Sequence, residues 1–136
     1  MKFDCVGRDS EGLMYMRFHK TYTNTEKIQL LQRSILVNSL AYYVLDENIL
    51  TDFQYDATAL QLAELKKKYP EEFNRSKYYE YFYDYCQDDE VHYTSGFDLL
   101  ERVRKLDSDL YRRLHIDASM ALDLKRKYGT EGMSSL

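Results

Sequence analysis

The chain has 136 residues, of which 44% are hydrophobic and 31% charged, and it carries a formal net charge of −4. That length suits one domain with a real core and not two large ones, and the composition is ordinary for a globular protein. With no apolar run of about 18 residues, no membrane span is expected, and the negative charge argues against broad nucleic-acid binding.

Fourteen tyrosines, a single proline and five glycines favour a mainly α chain with short connections. Residues 2–6 and 13–18 are predicted as a short N-terminal β-hairpin around the turn-rich stretch Gly7 to Gly12, and the hairpin unit is placed at 1–22. Met1 to Cys5 has an early acid and no apolar segment, so no signal peptide is expected. Cys5 and Cys86 show no paired spacing and read as reduced thiols of a cytoplasmic protein.

About five helices are predicted to follow. Thr23 and Glu26 form a capping box, opening a helix to about Val44 with Ile28, Leu31, Ile35, Leu36, Ser39 and Tyr42 or Tyr43 on its apolar stripe. Thr51 and Gln54 form a second box. That helix runs to about Tyr69, with Leu60, Leu62, Ala63 and Leu65 inward, Lys66 to Lys68 in its last turn and Pro70 as its stop. A third helix is read over 75–87, carrying Tyr79, Phe82, Tyr83 and Cys86 at i, i+3, i+4, i+7. Thr94 or Ser95 caps a fourth to Leu106, with Phe97, Leu100 and Val103 inward. Asp107 or Ser108 opens a fifth, with Leu110, Leu114, Met120 or Ala121, and Leu124 inward, and Gly129 as terminator. The whole reads as a single domain over 1–129, with a helical hairpin at 23–72, further helices at 73–129 and a frayed tail at 130–136.

The chemistry concentrates between Tyr42 and Asp56. Asp52, Tyr55 and Asp56 stand at i, i+3, i+4, so a helix places them on one face. Tyr42 and Tyr43 close the preceding helix. Flat aromatic faces beside fixed carboxylates suit a flat cationic ring.

The run Leu40-Ala41-Tyr42-Tyr43-Val44-Leu45-Asp46, followed by a short turn and Thr51-Asp52-Phe53-Gln54-Tyr55-Asp56, resembles the N-terminal (Ia) domain of bacterial NAD-dependent DNA ligases. The likeness covers about residues 27–72 and keeps the Tyr-(Tyr/His)-x8-Asp-x2-Tyr-Asp spacing without a gap. It implies a site for NAD or its nicotinamide mononucleotide (NMN) half. Tyr42 would stack on the nicotinamide ring and Tyr43 would stand where the family often has histidine, near the phosphate. Asp52 and Asp56 would accept hydrogen bonds from the amide or ribose, and Tyr55 would complete the wall. The ligase nucleophile is a lysine in a Lys-x-Asp-Gly motif of another domain. This sequence has no such motif, so a non-catalytic binding module, and not an enzyme, is expected.

Other signals are weaker. The tyrosine-rich stretch with Tyr78, Tyr81 and Tyr85, together with Asp88, Asp89 and Glu90, reads as a candidate partner surface. It supports an alternative function: a small phage-type interaction module, anti-CRISPR-like, that inhibits a host nucleic-acid enzyme. His19, His92 and His115 lack metal-ligand spacing, so no metal is expected. The basic residues of the last two helices alternate with acids and read as solvated faces, without direct nucleic-acid binding.

Overall fold

The computed structural model describes the backbone of residues 2–3, 6–8, 14–86 and 94–134, and the side chains of 17–86 and 94–128. Among the described residues the order is β1 (Lys2–Phe3), β2 (Val6–Arg8), β3 (Met14–Met16), α1 (Asn24–Tyr43), α2 (Asp52–Lys68), α3 (Pro70–Asn74), α4 (Tyr79–Phe82), α5 (Gly96–Leu106) and α6 (Ser108–Ser134). The chain is mainly helical, as expected. The N-terminal hairpin pairing 2–6 with 13–18 is not seen. Gly7 and Arg8, expected in its turn, belong to β2, which pairs antiparallel with β1 on one side and with β3 on the other. β3 lies against α2.

Both capping boxes form. The Thr23 hydroxyl accepts from the Glu26 N–H at 3.1 Å, and the Glu26 carboxylate accepts from the Thr23 N–H at 3.0 Å. Thr51 and Gln54 do the same at 3.1 and 3.0 Å. Each box satisfies two N–H groups that the start of a helix leaves orphaned. Thr51→Ala is expected to cost about 1 kcal/mol, read as a lower urea midpoint at unchanged slope. A variant with wild-type stability would show that the box is redundant.

α1 is the hub. Ile28, Leu31, Ile35, Leu36 and Leu40 are fully or almost fully buried, and α2, α5 and α6 pack around the helix. α2 departs from expectation, because it buries Ala57, Thr58, Ala59, Gln61 and Leu62 while Leu60, Ala63 and Leu65 are only partly covered. Its small residues let α2 approach α1 closely. Pro70 does end α2, but it also opens α3, where its missing N–H costs nothing at the first helical position.

The expected helix over 75–87 is instead one four-residue helix flanked by turns. With the helix broken, i, i+3 spacing no longer defines a face. Tyr78, Tyr81 and Tyr85 point inward, with exposures of 5%, 1% and 1%. Two of them have hydroxyl partners far along the chain: Arg33 donates to the Tyr78 hydroxyl at 3.1 Å, and the Tyr85 hydroxyl donates to the Ala59 carbonyl at 3.1 Å. The three tyrosines therefore do not form a partner surface. Asp88, Asp89 and Glu90 lie outside the described residues. Tyr83 is exposed beneath the Arg102 guanidinium.

α5 buries Leu99, Leu100 and Val103, while Phe97 faces outward. α6 turns Leu110, Leu114, Ala118 and Leu122 inward. This i+4 row, not one through Met120 and Leu124, follows the packing ridge of the helix, and it leaves Met120 and Leu124 on the exposed side. Gly129 does not terminate α6, which continues to Ser134 through part of the expected tail.

Candidate functional site

One cavity of about 310 Å³ lies where α1, the α1–α2 turn, the first turns of α2 and the start of α5 converge. Tyr42, Tyr43, Asp52, Tyr55 and Asp56 all line it, so the five residues singled out from sequence share one site. Its size falls in the range of small-molecule sites, roughly 300–1,000 Å³.

Local rules put these residues there. Ser39, Tyr42 and Tyr43 occupy the last turns of α1, and Asp52, Tyr55 and Asp56 occupy the first turns of α2. The chain between them is held in shape. Asp46 takes φ 55°, a left-handed conformation that short polar side chains tolerate, and the Glu47 N–H returns to the Ala41 carbonyl at 3.0 Å. The Glu47 carboxylate accepts from Arg126 of α6 at 2.6 Å, and Lys125 donates to the Asn48 carbonyl at 2.5 Å. α6 thus braces the turn from outside.

The cavity has an aromatic rim and a hydroxylated wall. Tyr42 and Tyr43 are exposed, their rings 4.8 Å apart and edge to face. Tyr43 also meets Phe97 of α5 at 5.8 Å. Deeper in, the hydroxyls of Tyr55 and Ser39 share a hydrogen bond of 3.1 Å. Burial pushes the Tyr55 phenol above its ordinary range, the Ser39 bond opposes this, and Tyr43 and Asp56 add smaller upward pushes. The phenol therefore stays neutral and available as a hydrogen-bonding group at neutral pH. Asp52 and Asp56 are exposed at the mouth.

Sequence reasoning missed several lining residues: Asn38, Asn48, Tyr85, Thr94, Ser95 and Gly96. By sequence, Tyr85 reads as part of a candidate partner surface, and Thr94 or Ser95 only as a helix cap. Ser95 does cap α5, accepting from the Asp98 N–H at 3.1 Å. A glycine at the first helical position was the one available sign that another element approaches there. Among the described residues, no lysine, cysteine or histidine lines the cavity. Among the described residues no group of His, Cys, Asp and Glu could hold a metal, and no helix is long and apolar enough to cross a membrane.

Residues 21–76 match the family described as the DNA ligase-like, N-terminal NAD+-binding domain. A DNA ligase of a Thermoanaerobacter species and that of Thermoanaerobacter pseudethanolicus are each 41% identical to this chain over 46 residues, which is 34% of this chain and 7% of the ligase. The chain thus spans a small fraction of the length of these relatives. No solved structure matches.

Proposed function

We propose that the segment similar to the NAD+-binding domain of DNA ligases carries a nicotinamide-nucleotide site, and that the chain binds NMN or the NMN half of NAD without performing chemistry on it. The observation that carries this reading is the convergence of Tyr42, Tyr43, Asp52, Tyr55 and Asp56 on one cavity. The oxidised nicotinamide ring is a pyridinium, and a tyrosine face attracts such a cation by about 0.5–2 kcal/mol. Tyr42, exposed at the rim, is the stacking face, and Tyr55 forms the wall behind the ring. Asp52 and Asp56 accept hydrogen bonds from the carboxamide or ribose and favour the ring charge. The start of α2 presents free N–H groups and the positive end of its dipole to a phosphate. Tyr43 offers a hydroxyl there, where the family often has a cationic histidine. A nucleotidyltransferase, if the site serves one, would have to meet the nucleotide on a partner or on another domain. The competing interaction-module reading loses its aromatic surface, because Tyr78, Tyr81 and Tyr85 are core residues.

Calorimetric titration with oxidised and reduced NMN tests this. Oxidised NMN should bind saturably, and the reduced form, whose ring is uncharged, should bind more weakly. Tyr42→Ala should weaken the oxidised form by about 2- to 30-fold, the equivalent of the cation–π range, and Asp52→Ala should weaken it as well. The absence of saturable heat at millimolar oxidised NMN would overturn the proposal.

A further inference from the structure

The matched segment does not close the cavity alone. Tyr85, Thr94, Ser95 and Gly96 line it from beyond residue 76. Gly96 sits so close to α1 that a Cβ on it would fall 2.3 Å from Ser39 Oγ, 2.9 Å from Ser39 Cβ and 3.0 Å from the Tyr55 hydroxyl oxygen. Only glycine allows the first turn of α5 to reach the Ser39–Tyr55 pair. A second set of contacts fixes α5 in that place. Arg102 donates to both carboxylate oxygens of Asp84 at 2.8 and 2.9 Å and to the Tyr81 carbonyl at 2.9 Å. Its guanidinium lies 4.7 Å from the Tyr83 ring centre. Asp84 in turn accepts from the Thr94 hydroxyl at 3.0 Å. One carboxylate therefore ties the body of α5, the residue before its cap and the turn after α4 together.

We infer that the segment entering α5, from Thr94 to Gly96, is the closing wall of the nucleotide pocket, and that Gly96 and Arg102 are the positioning residues that set its distance from Ser39 and Tyr55. What the wall encloses rests on the nucleotide reading above. The chain completes this side of the pocket in cis, with residues outside the ligase-like segment. The Ser39–Tyr55 hydroxyl pair, held under α5, then presents a fixed hydrogen-bonding edge to the ligand.

The test uses the full chain with 13Cζ-labelled tyrosine, the Tyr55 signal being assigned through Tyr55→Phe. At pH 10 the wild-type Tyr55 signal should lie closer to the neutral-phenol position than that of a free tyrosine. Gly96→Ala should move it toward the phenolate position and weaken oxidised NMN by about tenfold or more. The size swap Ser39→Gly/Gly96→Ala, which removes the closest clash, should return the Tyr55 signal toward its wild-type position while affinity stays reduced, because the Ser39 hydroxyl is lost. Arg102→Lys keeps the charge but loses the two-pronged bond, and it should shift the Tyr55 signal in the same direction as Gly96→Ala. If Gly96→Ala leaves the signal and the affinity unchanged, or if the swap does not move the Tyr55 signal back, the inference fails. If wild type binds no NMN while the Tyr55 signal follows the expected pattern, the wall stands and the ligand assignment falls.

Discussion

Phe73→Ala is expected to lower the unfolding free energy by about 3–5 kcal/mol, the range for emptying a buried aromatic site. Phe73 is fully buried, although it lies on the five-residue helix α3. Its ring meets Tyr79 edge to face at 6.2 Å, and the Lys66 ammonium stands 5.1 Å from its centre. The same ammonium donates to the carbonyl of Tyr85, a residue that lines the cavity. Removing it leaves a void between α1, α2 and α3 that short helices cannot collapse to fill. Phe73→Leu keeps more of the volume and should cost distinctly less. Urea unfolding measures both, and a loss below about 1 kcal/mol for alanine, within the range of ordinary surface changes, would show that α3 is not part of the cooperative core.

Arg102→Ala should cost about 2–3 kcal/mol, below the roughly 3–5 kcal/mol of a fully buried pair, because the Arg102 and Asp84 side chains keep 23% and 28% of their exposure. The variant strands the Asp84 carboxylate and removes the guanidinium from the Tyr81 carbonyl. A pH signature accompanies it. The Arg102 hydrogen bond holds the Asp84 carboxyl below its ordinary value of 3.8, with Thr94 assisting against the opposing effect of burial. A carboxyl lowered in the folded state stabilises it fully above the unfolded value, and that contribution is lost as pH falls through the folded one. The stability gap between wild type and Asp84→Asn should therefore be full at neutral pH and narrow as pH falls below 3.8. A gap independent of pH down to acid unfolding would contradict the assignment of this pair.

Sequence made the matched segment, residues 21–76, readable because its signals are local. The two capping boxes need only four residues each, and both form. Tyr42, Tyr43, Asp52, Tyr55 and Asp56 meet because two helix ends and one turn bring them together, with little required from elsewhere. The stretch after Pro70 lacked such signals. A tyrosine can sit in a core or on a surface, and what decided for Tyr78 and Tyr85 was a hydroxyl partner far along the chain: Arg33 in one case, the Ala59 carbonyl in the other. Phe97 illustrates the reverse case. Its type suggested core, but the close approach at Gly96 turns the next residue out to the aromatic rim. The closing wall depends on a steric fit between Ser39 and Gly96, which no local pattern encodes.

The brace on the α1–α2 turn has a consequence for the order in which the molecule matures. Glu47 and its partner Arg126 are 79 residues apart, so the turn acquires its outer support only when the second half of α6 docks. During synthesis the aromatic and acidic residues of the cavity emerge early, while the ion pair that holds their turn and the glycine that seals their wall arrive late. The cavity should therefore take its final shape only once α6 has docked, and not in an early intermediate.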